Sequence, residues 1–127
     1  MARILVIDDD AEIRRMIKII LEKEGHVAFV ADDGNEALTL SRQNLVDLVI
    51  TDILMPLRDG LDVILDIRSN RRDTKIIAMS GGGPGMSSDG CLILASDLGA
   101  DAVLQKPISK SDLLTTIKQL LPQEGLP

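Results

Sequence analysis

Aromatic side chains are nearly absent from this 127-residue sequence, which has one Phe, no Trp and no Tyr. The hydrophobic core must therefore be built from Ile, Leu, Val, Met and Ala. Proteins that bind single-stranded nucleic acid usually stack the bases on aromatic side chains. The near absence of aromatic residues disfavours that class of function.

The sequence also lacks an excess of basic residues. It carries 14 Lys and Arg against 20 Asp and Glu, which gives a formal net charge of −6. Binding to the phosphate backbone of DNA or RNA requires a basic surface, so we expect no direct contact with nucleic acid. Proteins, cations and small phosphorylated groups are the expected partners.

Cysteine and long apolar runs are scarce as well. The single cysteine, Cys91, cannot form an internal disulfide, which is typical of proteins in a reducing compartment. No apolar run approaches the ~18 residues that a membrane-spanning helix requires, and the N-terminus does not resemble a signal peptide. We therefore expect a cytoplasmic protein without a membrane segment.

What the sequence does contain is a regular alternation of strand-like and helix-like segments. Short apolar runs predict five strands, and apolar residues at helical spacing predict a helix after each strand. Short connections between them require parallel strands, right-handed crossovers and helices on both faces of the sheet. We predict one α/β domain over residues 1–122 and a tail at 123–127. The predicted strands are Arg3–Ile7, Val27–Ala31, Asp47–Asp52, Lys75–Met79 and Asp101–Gln105.

The predicted helices begin and end at capping or glycine signals. They run from the N-cap Asp10 to about Glu24, over Asn35–Arg42, from near Gly60 to Arg68–Asn70, over the apolar residues from Cys91 to Leu98, and from the Ser109–Asp112 capping box to Leu121.

Polar side chains stand at the carboxyl ends of four predicted strands. Asp8 and Asp9 follow the first strand, Asp52 ends the third, Ser80 closes the fourth and Lys106 follows the fifth. In a doubly wound sheet these ends share one edge, and the first and third strands are neighbours across the switch point. Three carboxylates brought together require a compensating cation, and their hard oxygen ligands suit Mg²⁺. With a lysine and a hydroxyl nearby, the site suits a phosphoryl group, with Asp52 as the nucleophile that forms an acyl phosphate.

Taken together, these motifs resemble the receiver domain of two-component response regulators, the family that includes the chemotaxis protein CheY. The resemblance covers essentially the whole chain and rests on the motifs Asp8-Asp9, Asp52 with Met55-Pro56 and Asp59-Gly60, Ser80, and Lys106-Pro107. It implies a CheY-like (βα)5 fold with a five-stranded parallel sheet in the order 2-1-3-4-5.

The resemblance also implies a role for each site residue. Asp52 would accept a phosphoryl group from a sensor histidine kinase or a histidine phosphotransfer protein, and Lys106 would pair with the phosphoryl oxygens. Ser80 would move to hydrogen-bond one of these oxygens. A Mg²⁺ or Mn²⁺ ion would be held by the side chains of Asp9 and Asp52, the main-chain carbonyl of Leu54, and a water bound by Asp8.

Signalling is expected to change the face formed by the fourth predicted helix, the fifth strand and the last helix, where a downstream protein would bind. Family members often pair through the same face, so a homodimer is a further expectation.

The family usually has Tyr or Phe at the position of Val103, and often Phe at the position of Ile108. The Gly-rich segment Gly81–Gly85 also lengthens this chain beside the site. Any signal must then travel without an aromatic side chain turning inward.

The first hypothesis is a single-domain phosphorylation switch without its own output domain, which Met1 and the short tail favour. A small Mg²⁺-dependent phosphatase is a second hypothesis, but it needs a general acid two residues after Asp52, where Leu54 stands. We therefore expect no enzymatic turnover beyond self-phosphorylation and slow self-hydrolysis.

A receiver retained only for docking is a third hypothesis, and a flavodoxin-like flavin binder is disfavoured by the scarcity of aromatic rings. His26 is expected to be a surface or hydrogen-bonded histidine.

Overall fold

The computed structural model describes residues 1–53, 60–70, 73–80 and 99–121. These residues form five strands and four helices, and strand and helix alternate from the first strand to the fourth. The strands are β1 Arg3–Ile7, β2 Val27–Ala31, β3 Leu48–Asp52, β4 Lys75–Ser80 and β5 Ala102–Gln105, and the helices are α1 Ala11–Lys23, α2 Gly34–Gln43, α3 Gly60–Asn70 and α4 Lys110–Leu120. The helix predicted from Cys91 to Leu98, the Gly81–Gly85 segment and the 123–127 tail lie outside the described residues.

All pairs of neighbouring strands in the sheet are parallel, and the strand order is β2-β1-β3-β4-β5. This order confirms the predicted doubly wound α/β fold. The connection after β2 crosses over β1, so the switch point lies between β1 and β3. The carboxyl ends of these two central strands therefore open onto the same crevice.

The three central strands are buried because both of their faces are covered. In β3, every residue from Leu48 to Asp52 is buried, as expected for an internal strand of a parallel sheet. One aliphatic cluster, including Leu5 and Val49, packs with residues of α2 and α3. A second, including Val6 and Ile50, packs with residues of α1 and α4. Together they give a two-sided core made almost entirely of aliphatic side chains.

Short-range hydrogen bonds set the helix starts. The Asp10 side chain accepts from the main-chain N–H of Glu12 at 2.9 Å, which confirms Asp10 as the N-cap of α1. The Ser109 hydroxyl accepts from the Asp112 N–H at 3.0 Å and begins α4 as the sequence predicted. After α1, Gly25 adopts a φ of 86°, a conformation in which a side chain would be strained.

Some strand boundaries differ from the prediction by one residue. Asp47 and Asp101 were predicted to begin β3 and β5, but both precede those strands. The Asp47 carboxylate accepts from the main-chain N–H of Arg3, and the Asp101 carboxylate accepts from that of Ile76, each at 2.8 Å. These acids thus bind amides at the beginnings of neighbouring strands, those of Arg3 in β1 and Ile76 in β4.

Among the described residues, the longest helix is α1 with 13 residues. None of the described helices combines the length and the apolar character needed to cross a membrane.

Candidate functional site

The sheet topology brings together the polar residues that the sequence placed at separate strand ends. Ile7 pairs with Thr51, and Asp52 pairs with Met79, so the ends of β1, β3 and β4 lie side by side. The Lys106 N–H donates to the Ser80 carbonyl at 2.8 Å, which fixes the residue after β5 beside the end of β4.

Three carboxylates converge at this edge of the sheet. Asp8, Asp9 and Asp52 each place one ligand oxygen within 4.8 Å of the others. Asp8 and Asp52 are buried and Asp9 is exposed, so the cluster opens to solvent on one side. This arrangement matches the juxtaposition that the sequence predicted.

Lys106 supplies the positive charge opposite two of these carboxylates. Its Nζ lies 2.8 Å from Asp8 Oδ2 and 2.9 Å from Asp52 Oδ2. Burial alone would lower the pKa of Lys106, but hydrogen bonds and charges from Asp8 and Asp52 outweigh burial and raise it. The lysine is therefore charged at neutral pH and bridges two of the three acids.

Asp8 is less well compensated than its short contact with Lys106 suggests. Burial raises the pKa of Asp8, and the nearby Asp52 charge adds to this effect, although Lys106 and the Asp10 N–H act in the opposite direction. The Asp8 side chain is fully buried, and its Oδ2 atom contacts Lys106 Nζ at 2.8 Å. One lysine thus contacts two of the three carboxylates, and burial keeps the pKa of Asp8 raised despite that contact.

These features fit a divalent cation of the Mg²⁺ type. Such ions take hard oxygen ligands, commonly one or two carboxylates, and keep several bound waters. The open side at Asp9 leaves room for those waters, and a cation would offset the excess negative charge of the three acids. Asp8, Asp9 and Asp52 are the residues that would hold it.

A family model for the response regulator receiver domain matches residues 4–118 of the sequence. The chain therefore belongs to the response regulator receiver domain family. This assignment confirms the resemblance that the strand-end motifs carried.

Relatives of this receiver domain include full-length regulators. The transcriptional regulatory protein CpxR of Klebsiella pneumoniae is 34% identical over 121 residues, which cover 95% of this chain and 50% of CpxR. The response regulator MprA of Mycobacterium sp. strain KMS is 36% identical over 127 residues, covering 97% of this chain and 54% of MprA. The receiver domain spans about half the length of these curated relatives.

Solved structures match this receiver domain over nearly their whole length. The chemotaxis protein CheY4 of Vibrio cholerae superposes with a TM-score of 0.84 at 29% identity, covering 95% of this chain and 99% of CheY4. A response regulator receiver domain protein from Clostridium thermocellum gives a TM-score of 0.86 at 34% identity, covering 94% of each chain.

The structure places the other predicted site residues differently: it describes Ser80 and Val103, but not Leu54. Ser80 is buried at the last position of β4, inside the strand and not after it. Leu54, predicted to offer its main-chain carbonyl to the metal, lies outside the described residues. Val103 is 37% exposed on β5, so the position usually held by an aromatic residue carries a small, partly exposed side chain.

One contact at the site was not anticipated from the sequence. Arg14 Nη1 donates to the main-chain carbonyl of Asp8 at 2.7 Å. The sequence signal was present but weak, since an arginine six residues after Asp8 is also common on the exposed face of a helix.

Proposed function

We propose that this chain is a phosphorylation switch that accepts a phosphoryl group on Asp52 in a Mg²⁺-dependent reaction. The observation that carries the proposal is the convergence of Asp52 with Asp8, Asp9 and Lys106 at one partly buried edge of the sheet. The phosphodonor would be a sensor histidine kinase or a histidine phosphotransfer protein, in keeping with the family.

In this proposal Asp52 is the nucleophile. One Asp52 carboxylate oxygen attacks the phosphorus of a phosphohistidine and forms an O–P bond. The N–P bond breaks, and its electron pair returns to the imidazole ring of the donor. A bound divalent cation supplies charge neutralisation for the transferring phosphoryl group.

Lys106 is placed to respond to this reaction. In the unphosphorylated chain its Nζ contacts both Asp8 and Asp52 at under 3 Å. Phosphorylation neutralises the Asp52 oxygen that bonds to phosphorus and introduces negative phosphoryl oxygens in its place. Lys106 then pairs with those oxygens, and the Ser80 hydroxyl hydrogen-bonds one of them.

Output would follow from the movement of Ser80 and its neighbours. The Ser80 carbonyl is bonded to the Lys106 N–H, so the ends of β4 and β5 are linked at the site. A displacement there would alter the face made by β5, α4 and the helix predicted from Cys91 to Leu98, where a downstream protein or a second copy would bind. With Val103 on β5, this readout proceeds without an aromatic side chain.

Enzymatic turnover and direct DNA binding are not part of the proposal. A phosphatase would need a general acid near Asp52, and Leu54 cannot donate a proton. The net charge of −6 disfavours DNA contacts by this chain, although CpxR is named a transcriptional regulatory protein. The cytoplasmic location expected from the sequence stays a prediction. A receiver retained for docking alone is the remaining alternative.

Intact-mass measurement after incubation with acetyl phosphate and Mg²⁺ tests the proposal. We expect the mass of one phosphoryl group to be added, and we expect EDTA to prevent the addition. Asp52→Asn should abolish it, while Asp62→Asn, which removes an exposed acid of α3, should leave it intact.

A different result would favour the docking alternative. If no adduct forms and no inorganic phosphate is released from acetyl phosphate, the chain does not accept phosphoryl groups. The fold would then serve only as a binding module.

A further inference from the structure

Arg14 fastens the acidic loop, Asp8–Asp10, to the first helix. The arginine lies about one turn into α1 and is half-buried. Its Nη1 donates to the Asp8 carbonyl oxygen at 2.7 Å, and its own N–H donates to the Asp10 carbonyl at 3.1 Å. The side chain therefore reaches back along the helix to the point where β1 has just ended.

The bond from Arg14 completes the restraint of Asp8. The Asp8 N–H donates to the Ala31 carbonyl at 3.2 Å, and the Asp8 Oδ1 atom accepts from the Asp10 N–H at 2.9 Å. The other carboxylate oxygen contacts Lys106. The carbonyl of Asp8 lies beyond the last residue of β1, and Arg14 is the side chain that binds it. With that bond in place, the peptide joining Asp8 to Asp9 is held at its carbonyl.

Asp9 depends on that peptide for its position. Its side chain is exposed and, within the part of the chain that the structure describes, makes no hydrogen bond or ion pair. It nevertheless places a carboxylate oxygen within 4.8 Å of ligand atoms of Asp8 and Asp52. What fixes the Asp9 carboxylate is thus the main chain on which it is carried.

We propose that Arg14 is a positioning residue for the divalent-cation site. By binding the Asp8 carbonyl it fixes the orientation of the Asp8–Asp9 peptide and thereby aims the Asp9 carboxylate at the cluster. The inference rests on the proposed function, because that function supplies the cation. Mutation of groups that orient metal ligands typically lowers metal affinity by about 10- to 100-fold.

The positive charge of Arg14 has the opposite effect on cation binding. A guanidinium near the acids repels a divalent cation, so removal of the charge alone would tighten binding. Loss of the hydrogen bond would weaken binding by freeing the Asp8–Asp9 peptide. The two roles therefore predict changes of opposite sign, and replacement of Arg14 distinguishes them.

The test is a titration of the Arg14→Met variant with Mg²⁺, in which the chemical shifts of the backbone amides are measured by NMR and give the Kd. This variant removes the charge and the donors but keeps an unbranched side chain. We expect the Kd for Mg²⁺ to rise about tenfold. Arg14→Lys keeps the charge and a shorter donor, so we expect a rise of about threefold, which is partial rescue.

Arg15→Met is the matched control. Arg15 is the adjacent, exposed residue of the same helix, and its replacement removes the same charge. Its Kd should stay within about twofold of the parent value. Metal-free thermal unfolding of all variants checks that they fold. If Arg14→Met does not fold, Arg14→Lys alone decides between weaker binding and unchanged binding.

The possible failures are distinct. If the parent chain shows no Mg²⁺-dependent shifts in the acidic loop, the proposed function is overturned along with this inference. If the parent chain binds Mg²⁺ and the Arg14 variants bind it equally or more tightly, only the positioning role is wrong. An equal weakening in Arg15→Met would also overturn the positioning role.

Discussion

Lys106 is the residue on which the charge balance of the acidic cluster depends. Its side chain is 18% exposed, whereas the Asp8 side chain that it contacts is fully buried. Removing one partner of a buried ion pair leaves the other charge uncompensated, and this is usually more destabilising than the pair is stabilising. The stability of the metal-free chain should therefore depend strongly on this lysine.

We predict that Lys106→Met lowers the free energy of unfolding by about 2–4 kcal/mol without Mg²⁺. Saturating Mg²⁺ should recover part of the loss, because a cation would neutralise the same carboxylates. Urea denaturation at pH 8, with and without Mg²⁺, measures both effects. Lys118→Met, which removes an exposed lysine of α4, should change stability by less than about 0.5 kcal/mol. Equal stability of Lys106→Met and the parent chain would contradict this role.

The sequence predicted that His26 is a surface or hydrogen-bonded histidine. Its Nδ1 accepts a hydrogen bond from the Ala2 N–H at 3.0 Å, so it is a hydrogen-bonded histidine, as expected. Burial lowers the pKa of His26, and the positive N-terminus adds to this effect against the opposing charge of Glu24. The folded state therefore favours the neutral imidazole, whose Nδ1 is free to accept.

We predict that the NMR titration of His26, the only histidine in the sequence, has a midpoint below its ordinary value of 6.5. Between the folded and unfolded pKa values the unfolded chain binds the extra proton, so stability falls as pH drops below 6.5 toward the folded value. His26→Gln should remove this part of the pH dependence. A midpoint above 6.5 would show that the protonated form is the stabilised one.

At the scale of the elements, one arginine adds hydrogen bonds between the end of α3 and the sheet to the apolar packing of that helix. Arg68 donates to the Gly99 carbonyl through Nε at 3.2 Å and Nη2 at 2.8 Å, and to the Thr74 carbonyl through Nη1 at 2.9 Å. Its Nη2 also lies 2.8 Å from Asp101 Oδ2, the oxygen that accepts from the Ile76 N–H. The end of α3 is thereby linked to the segments that lead into β4 and β5.

We predict that Arg68→Met lowers the free energy of unfolding by about 2–3 kcal/mol, because it leaves several partly buried acceptors without a donor. The Mg²⁺ affinity should not change, since this link lies at the opposite edge of the sheet from the acidic cluster. Chemical denaturation and a Mg²⁺ titration of the same variant measure both quantities.

Arg42→Met is the control for this prediction. Arg42 is 73% exposed and lies 3.9 Å from Asp66, so its loss should change stability by less than about 0.5 kcal/mol. Similar destabilisation by the two arginine variants would show that the Arg68 network has no special structural role.

The elements themselves were largely predictable from the sequence, because their signals are local. Apolar runs located all five strands, and Asp10 and Ser109 located two helix starts. The boundaries at Asp47 and Asp101 were wrong by one residue, because each carboxylate binds an amide on a different strand. Arg68 could not be predicted for the same reason, since its partner Asp101 is 33 residues away.

At the scale of the whole molecule, the site depends on the order of the strands. The order 2-1-3-4-5 sets β1 and β3 side by side, so Asp8 and Asp52 meet although 44 residues separate them in the sequence. Lys106 arrives from the other side, at the end of the edge strand β5. The sequence predicted this convergence because parallel strands share one carboxyl edge, but the contact of Lys106 with both acids required the structure.

The most direct test of this account is to locate the acceptor residue chemically. After incubation with acetyl phosphate and Mg²⁺, borohydride reduces an aspartyl phosphate to homoserine, which tandem mass spectrometry locates in the digested chain. The account predicts homoserine at position 52 and at no other aspartate, with none formed in the presence of EDTA. Homoserine at position 8 or 9, or a phosphoryl group that borohydride cannot release, would contradict it.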